Sequence, residues 1–341
     1  MLRVILSRLG GSLAAIFGAS IIAFVFLRVL PGDPARLIAG PLASEETIAA
    51  QREALGLNDP IWQQYWKYIT DFFGGDWGFS FGAGQPVTTQ IGNRLPASIE
   101  LGLFAFVMSF VLAVACALFV TYRRRPVADT VVRGISFFGL GTPPFWLGLV
   151  LLVICFEAFS ILPGPEGRLS PDTVPPPEVT GFYTVDALLA GQPATFWDAV
   201  RHLILPAIAL GLAPFAYLVR LLRASLLEVS REPFLVVARS KGLGRWTAFT
   251  RHALPNAFLP TMTAAGLLLA QLIAGSILVE KVFNWPGVGQ LVVDSILRQD
   301  FAVVQAFILL GAVAYVLVNL VVDVLYGVID PRVRVPSEAA R

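Results

Sequence analysis

Long apolar runs alternate with charged stretches along this chain, and the runs fall into one size class. Six contain no Asp, Glu, Lys or Arg: Leu9–Leu27, Leu101–Tyr122, Gly134–Phe156, Leu203–Val219, Ala253–Val279 and Phe301–Val322. A helix crossing the hydrocarbon core of a bilayer needs about 20 such residues. The pattern therefore predicts six spanning helices and an all-α, polytopic membrane protein. Arg3 and Arg8 precede the first run, which also fits a secretory signal peptide. That run is too long for a usual signal core, and Arg28 follows it in place of a small-residue cleavage site. It reads as an uncleaved first span.

Between the runs the pattern is less regular. Asp59 is placed to cap a helix with Pro60 at its first position, running to about Phe73, where Gly74-Gly-Asp-Trp-Gly ends it. A stretch with Pro163, Pro165, Pro171 and Pro175–Pro177 has little regular structure before about Thr184. Pro143-Pro144, Pro206, Pro214 and Pro260 interrupt the third, fourth and fifth runs and mark bending points. No repeat of fixed period appears, and the first two runs lack the interruptions that an inverted repeat would require.

Composition explains what covers the outside. The 341 residues are 56% hydrophobic and 14% charged, with a mean hydropathy of +0.72. Soluble domains carry about 25% charged residues, so this chain cannot clothe a large core for water. Its exterior is lipid. Collagen-like, disordered and disulfide-scaffold classes are excluded with the soluble one. Cys116 and Cys155 each sit inside an apolar run and read as small hydrophobes. Two histidines, His202 and His252, are too few for a histidine-built metal site.

Charge position sets the orientation. Segment 123–133 has four Arg against Asp129, a net of +3, and segment 220–252 has six Arg and Lys241 against Glu228 and Glu232, a net of +5. Segments 31–98 and 160–201 are each −3. The positive-inside rule puts both termini and the two basic loops in the cytoplasm, with the two long connections and 280–300 outside. Five of the seven tryptophans (Trp62, Trp66, Trp77, Trp197 and Trp285) lie in the outer segments, where indole rings can sit at headgroup level.

Chemistry is sparse. The chain has no Gly-Lys dipeptide, hence no phosphate-binding loop of the GxxxxGK[ST] kind, and no HExxH, CxxC or GxSxG. Catalysis by this chain alone is not expected. Arg28, Glu100, Glu157, Glu280 and Asp323 flank the runs, placed to reach an interface. Asn319 and Asp323 share a helix face and read as a helix-end pair. A proton-coupled carrier needs a central acid or histidine, and none is present. An ATP-independent secondary carrier remains the rival class.

The basic loop before the fifth run is the most informative segment. It predicts a helix over about 233–241, a Gly242-Leu-Gly244 turn, and a second helix stopping before Pro255. Phe234, Val237, Ala238 and the stem of Lys241 share one face of the first helix, ringed by Arg231, Arg239, Arg245 and Arg251. The face could lie on anionic lipid or insert into a partner's groove. Here the segment resembles the coupling loop of binding-protein-dependent ABC importer permeases, whose pattern is Glu-Ala-Ala, three residues, Gly, nine residues, Ile, any residue, Leu-Pro. Gly242 takes the Gly, His252 the Ile position, and Leu254-Pro255 completes the register. Val236 and Val237 replace Glu and the first Ala, and Ala238 keeps the second, so a salt bridge from the acidic position is lost. Leu30-Pro-Gly-Asp-Pro34, Glu280-Lys-Val-Phe-Asn-Trp-Pro-Gly-Val-Gly289 and Asn319-Leu-Val-Val-Asp-Val-Leu-Tyr…Asp330-Pro331 are similar to the peptide-importer subfamily in the same order.

The resemblance implies a division of labour. The chain would form half of a transmembrane pathway in the bacterial inner membrane with a second homologous permease subunit. Two cytoplasmic ATPase subunits would hold ATP and Mg, an external binding protein would deliver substrate, and no nucleic acid or cofactor of its own would be involved. Coupling would fall to Phe234, Ala238, Arg239, Lys241, Gly242, Leu243, His252, Leu254 and Pro255. Gln271, Ser276 and Asn319 are candidates for lining the pathway. Asp33, Trp62, Trp66, Trp77 and Trp285 are candidates for an outer gate or a binding-protein contact, with 285–298 as a short gate helix. The stretch from Thr180 to Gly191 most resembles dipeptide permeases, which implies dipeptides or short peptides as substrate. The same machinery imports glutathione, nickel complexes or oligosaccharides in other members. The expected organisation is 1–98 as first helix and outer segment, 99–335 as a five-helix core with the coupling loop at 220–257, and 336–341 as a tail.

Overall fold

The computed structural model describes residues 14, 16–25, 34–40, 42–80, 82–123, 125–273 and 277–329, with their side chains except those of 34, 37, 38, 239 and 318–329. It divides into two compact units, residues 1–96 with 286–316 and residues 97–285 with 317–341.

The first unit is built from short helices: α1 (Ile16–Val25), α2 (Pro34–Ala39), α3 (Glu45–Ala54) and α4 (Ile61–Phe73). A two-residue antiparallel pair follows, β1 (Phe79–Ser80) with β2 (Gln85–Pro86), in which Phe79 faces Pro86. Ser44 caps α3 by accepting the Thr47 N–H at 3.2 Å. Asp59 does not cap α4 as its position predicts. The cap residue is Pro60, without a side-chain bond, and the Asp59 carbonyl instead accepts the Gln64 amide at 2.7 Å. The inner face of α4 packs aromatically on α1: Tyr65 lies edge-on to Phe17 and Phe24, and its hydroxyl lies 2.7 Å from Ser20 Oγ. A separate apolar cluster joins Val87 and Ile91 to Val288, Leu291, Val292, Val303 and Ala306. Those residues come from α5 (Val87–Arg123), α14 (Val288–Leu297) and α15 (Phe301–Ile329).

The second unit holds the rest of α5 and then α6 (Pro126–Gly141), α7 (Pro144–Leu151), α8 (Tyr183–Leu189), α9 (Pro193–Val229), α10 (Pro233–Ser240), α11 (Arg245–Ala248), α12 (Leu254–Ile273) and α13 (Ile277–Val282). Helix α9 is its centre, packing on α6, α7, α8 and α12. Small residues let neighbours approach it closely. A Cβ on Gly211 would meet Ser109 Oγ at 2.3 Å, and that hydroxyl bonds the Gly211 carbonyl at 2.9 Å. Cys116 and Cys155 are free and half-buried, each packed against an apolar cluster of this unit.

Among the described residues, α5, α9 and the continuous stretch Arg245–Ile273 are each long and apolar enough to cross a bilayer, and a bent pair makes a fourth if taken as one span. The first and last expected runs are described with side chains only as Ile16–Val25 and Phe301–Leu317. The third run is not one helix. It breaks at Thr142-Pro143 and turns through 113° between Pro126–Gly141 and Pro144–Ala158. Two prolines in succession explain this: neither donates an N–H, and the residue before a proline is pushed to extended geometry, as Thr142 is with φ −101° and ψ 125°. The remaining prolines do not interrupt their helices as expected. Pro206 and Pro214 lie buried within α9, and Pro260 lies within α12. Packed neighbours can accommodate the missing donor in a membrane helix.

Candidate functional site

The basic loop folds as a compact unit hung from α9. After α9 ends at Val229, α10 begins at Pro233, and Leu235 anchors it, buried against Leu222, Leu226, Ala248, Phe249 and Ala253. The rest of its apolar surface is uncovered: Phe234 is 41% exposed, Val236 60% and Val237 53%. Ala238 is half-buried and Lys241 exposed. The backbone of Arg239 continues α10; its side chain lies outside the description.

The chain then reverses at Gly242, which has φ +89°. The Leu243 N–H reaches back to the Ala238 carbonyl at 3.3 Å. That bond, with a left-handed residue just past the helix end, is the Schellman arrangement. A Cβ on Gly242 would meet nothing within 4 Å. Its requirement is therefore conformational rather than steric. Gly244 caps α11 at φ −59°, a conformation open to any residue.

Beyond the turn, α11 is pinned to the end of α5. The Arg245 guanidinium donates to the Tyr122 carbonyl at 2.8 Å and lies 5.1 Å from the centre of its ring. Trp246 packs edge-on to Tyr122 at 4.8 Å yet is 54% exposed. The second helix does not stop before Pro255. A π-helical stretch, Phe249–Ala253, carries the chain into α12 at Leu254, with Ala248 and Leu254 on either side both in αR geometry. His252 and Leu254 are half-buried on this helix, and Pro255 is exposed. The loop thus presents Phe234, Val236, Val237 and Trp246 as an apolar surface within a field of five basic residues and one acidic residue over 230–252.

The other candidates are spread out. Gln271 is exposed on α12. Ser276 and Asp33 lie outside the described residues, as does the Asn319 side chain. Trp62 and Trp66 are exposed on α4, and Trp77 stacks on Phe72 at 5.2 Å with its N–H on the Phe72 carbonyl at 3.0 Å. Trp285 is not on an outer surface. It is 1% exposed, and its indole N–H donates to the Ala97 carbonyl at 2.9 Å.

A polar frame that no sequence pattern marks fastens the connection between α7 and α9. Glu100 and Glu280 do not reach an interface; both are buried. Glu280 accepts the Ser98 hydroxyl at 2.7 Å. Glu100 pairs with Arg168 at 2.6 Å and accepts the Thr184 N–H and hydroxyl at 2.8 and 2.7 Å. Arg168 also donates to the Gly181 carbonyl at 2.7 Å and covers the Tyr183 ring at 3.5 Å. Asp186 accepts the N–H groups of Val179, Thr180 and Gly181 and the Thr180 hydroxyl. Burial works against its charge, but these donors outweigh burial and hold its carboxyl below the usual range. Asp198 accepts the Ser170 N–H and hydroxyl, each at 2.8 Å. No spacing rule links partners as far apart as Glu100 and Arg168.

Residues 109–335 match the family described as binding-protein-dependent transport system inner membrane component, and residues 1–102 match its N-terminal counterpart. A probable D,D-dipeptide transport system permease protein of Escherichia coli K12 is 40% identical over 330 residues, 97% of each chain. The dipeptide transport system permease protein of the same strain is 39% identical over 344 residues, covering 98% of this chain and 99% of the relative. A glutathione transport system permease protein from that strain is 36% identical over 334 residues, again 98% and 99%.

Proposed function

As this chain belongs to the family of binding-protein-dependent transport system inner membrane components, we propose that it carries dipeptides or other short peptides across the bacterial inner membrane as half of an ATP-driven pathway. A second, homologous permease subunit supplies the other half. Two ATPase subunits, binding ATP and Mg, dock on the cytoplasmic loop, and an external binding protein delivers the peptide. The peptide assignment rests on the two dipeptide relatives, at 40 and 39% identity over nearly the whole length.

One observation supports ATPase docking most: Phe234, Val236, Val237 and Trp246 are exposed together on the loop of highest positive charge. In this reading the apolar face fills a groove on the ATPase, and the surrounding arginines orient the encounter. Gly242 holds the reversal that presents the face, and Leu235 ties its movement to α9.

Reconstitution tests it. Liposomes containing the full assembly and binding protein should take up labelled dipeptide only with ATP inside the ATPase compartment. Omitting the ATPase subunits should abolish uptake. Uptake that persists without them would identify a secondary carrier. A tenfold excess of glutathione that displaces the dipeptide completely would move the assignment to glutathione.

A further inference from the structure

Three helices of the second unit meet beside the short connection between α5 and α6 and enclose a cleft of about 170 Å³. Thr121 of α5, Arg125 and Asp129 around the start of α6, and Arg223 of α9 line it, with Val120 and Leu227 as apolar walls. Asp129 joins the two helices: Arg223 clasps its carboxylate through Nε at 2.5 Å and Nη2 at 2.8 Å. Arg133 reaches the same carboxylate at 3.0 Å. Asp129 is thus paired with Arg223 and Arg133, and Arg125 adds a second guanidinium to the lining, which leaves the cleft one positive charge in excess.

Two donors there are unanswered. Thr121 is 8% exposed, and its hydroxyl has no hydrogen-bond partner among the described residues. Helix α6, 16 residues long, begins at this cleft with Pro126 in its first turn and no side-chain cap on its N–H groups. The positive end of a helix, a buried hydroxyl and one guanidinium beyond those that Asp129 pairs call for an anion with several oxygen acceptors.

We infer that this cleft binds a phosphoryl group, the phosphodiester of an anionic lipid in the leaflet on the basic-loop side or free phosphate. The apolar walls beside the charged groups suit a headgroup with its glycerol attached. A phosphoryl group seated there would join the ends of α5, α6 and α9. Arg223 lies six residues before the end of α9, under two turns, so the same ligand would steady the point from which α10 departs.

Calorimetric titration of the purified full assembly tests this with three probes: short-chain phosphatidylglycerol, short-chain phosphatidylcholine and inorganic phosphate. Phosphatidylglycerol should bind the wild type, and Thr121→Val and Arg125→Gln should each weaken it about tenfold, roughly 1.4 kcal/mol, without changing the lipid-free unfolding temperature. Inorganic phosphate binding as tightly as phosphatidylglycerol assigns the site to the free ion; binding at least tenfold weaker assigns it to lipid. Equal affinity for phosphatidylglycerol and phosphatidylcholine, unchanged in both variants, would overturn the proposal. The readout is binding, so it fails or stands separately from transport.

Discussion

Gly242 shows how one residue's backbone freedom decides what a loop presents. Its φ of +89° costs an L-residue with a Cβ about 1–2 kcal/mol, and more with β-branching. Gly242→Val should abolish both dipeptide uptake and stimulation of ATP hydrolysis while membrane insertion is unchanged, whereas Gly242→Asn, which tolerates left-handed geometry, should retain most of both. Equal activity in the two variants would remove Gly242 from coupling. Asp186 makes a second prediction at this scale. Its folded carboxyl is held below the unfolded value of about 3.9, so its contribution to stability is full above that value. That contribution is lost as pH falls through the lower, folded value. Asp186→Asn should lower stability at pH 7 by about 2 kcal/mol, through lost charge-assisted bonds, and flatten the fall in unfolding temperature below about pH 4. Of these two residues only Gly242 was legible in the sequence. A glycine just past a basic amphipathic helix carries a local signal, while Asp186 acts through donors from an irregular stretch that no periodicity marks.

At the scale of elements, apolar runs located the long helices α5, α9 and α12 among the described residues but not their ends or breaks. Both α5 and α9 extend well outside their charge-free cores, to 37 residues each, because a helix continues as long as its backbone is paired, whatever its side chains face. Proline alone was an unreliable guide to breaks. Pro143-Pro144 turns the chain, but Pro206 and Pro214 sit inside a continuous helix where packing compensates them. Trp285 misled the reading because composition places tryptophan at an interface, and only tertiary structure shows the Ala97 carbonyl receiving its N–H. The Glu100–Arg168 pair was equally hidden, joining α5 to the outer connection across 68 positions of sequence. Arg168→Met leaves a buried carboxylate uncompensated and should cost about 3–5 kcal/mol. Adding Glu100→Gln should restore part of that loss, measured as thermal unfolding of the detergent-solubilised protein. A double variant no more stable than the single one would show that Arg168 acts through packing alone.

For the whole molecule, a few charges predict the orientation, and the prediction can be checked directly. With Cys116 and Cys155 replaced by serine, a cysteine at Val236 should react with a membrane-impermeant thiol reagent only from the cytoplasmic side, and one at Trp62 only from outside. The opposite result would invert the topology and with it the docking of any ATPase on α10. Within the second unit, α9 has a further consequence. At 37 residues and 1.5 Å per residue it is about 55 Å long, against a hydrocarbon core of about 30 Å. Near one end Asp198 grips Ser170, and near the other Leu222 and Leu226 grip Leu235. Mechanically it is a stiff beam with fittings at both ends: a tilt of about 5° about its midpoint swings each end by about 2 Å without opening a hydrogen bond along its length. Leverage of that kind would carry motion from α10 to the connection that holds Ser170 with no relay of rearranging side chains in between.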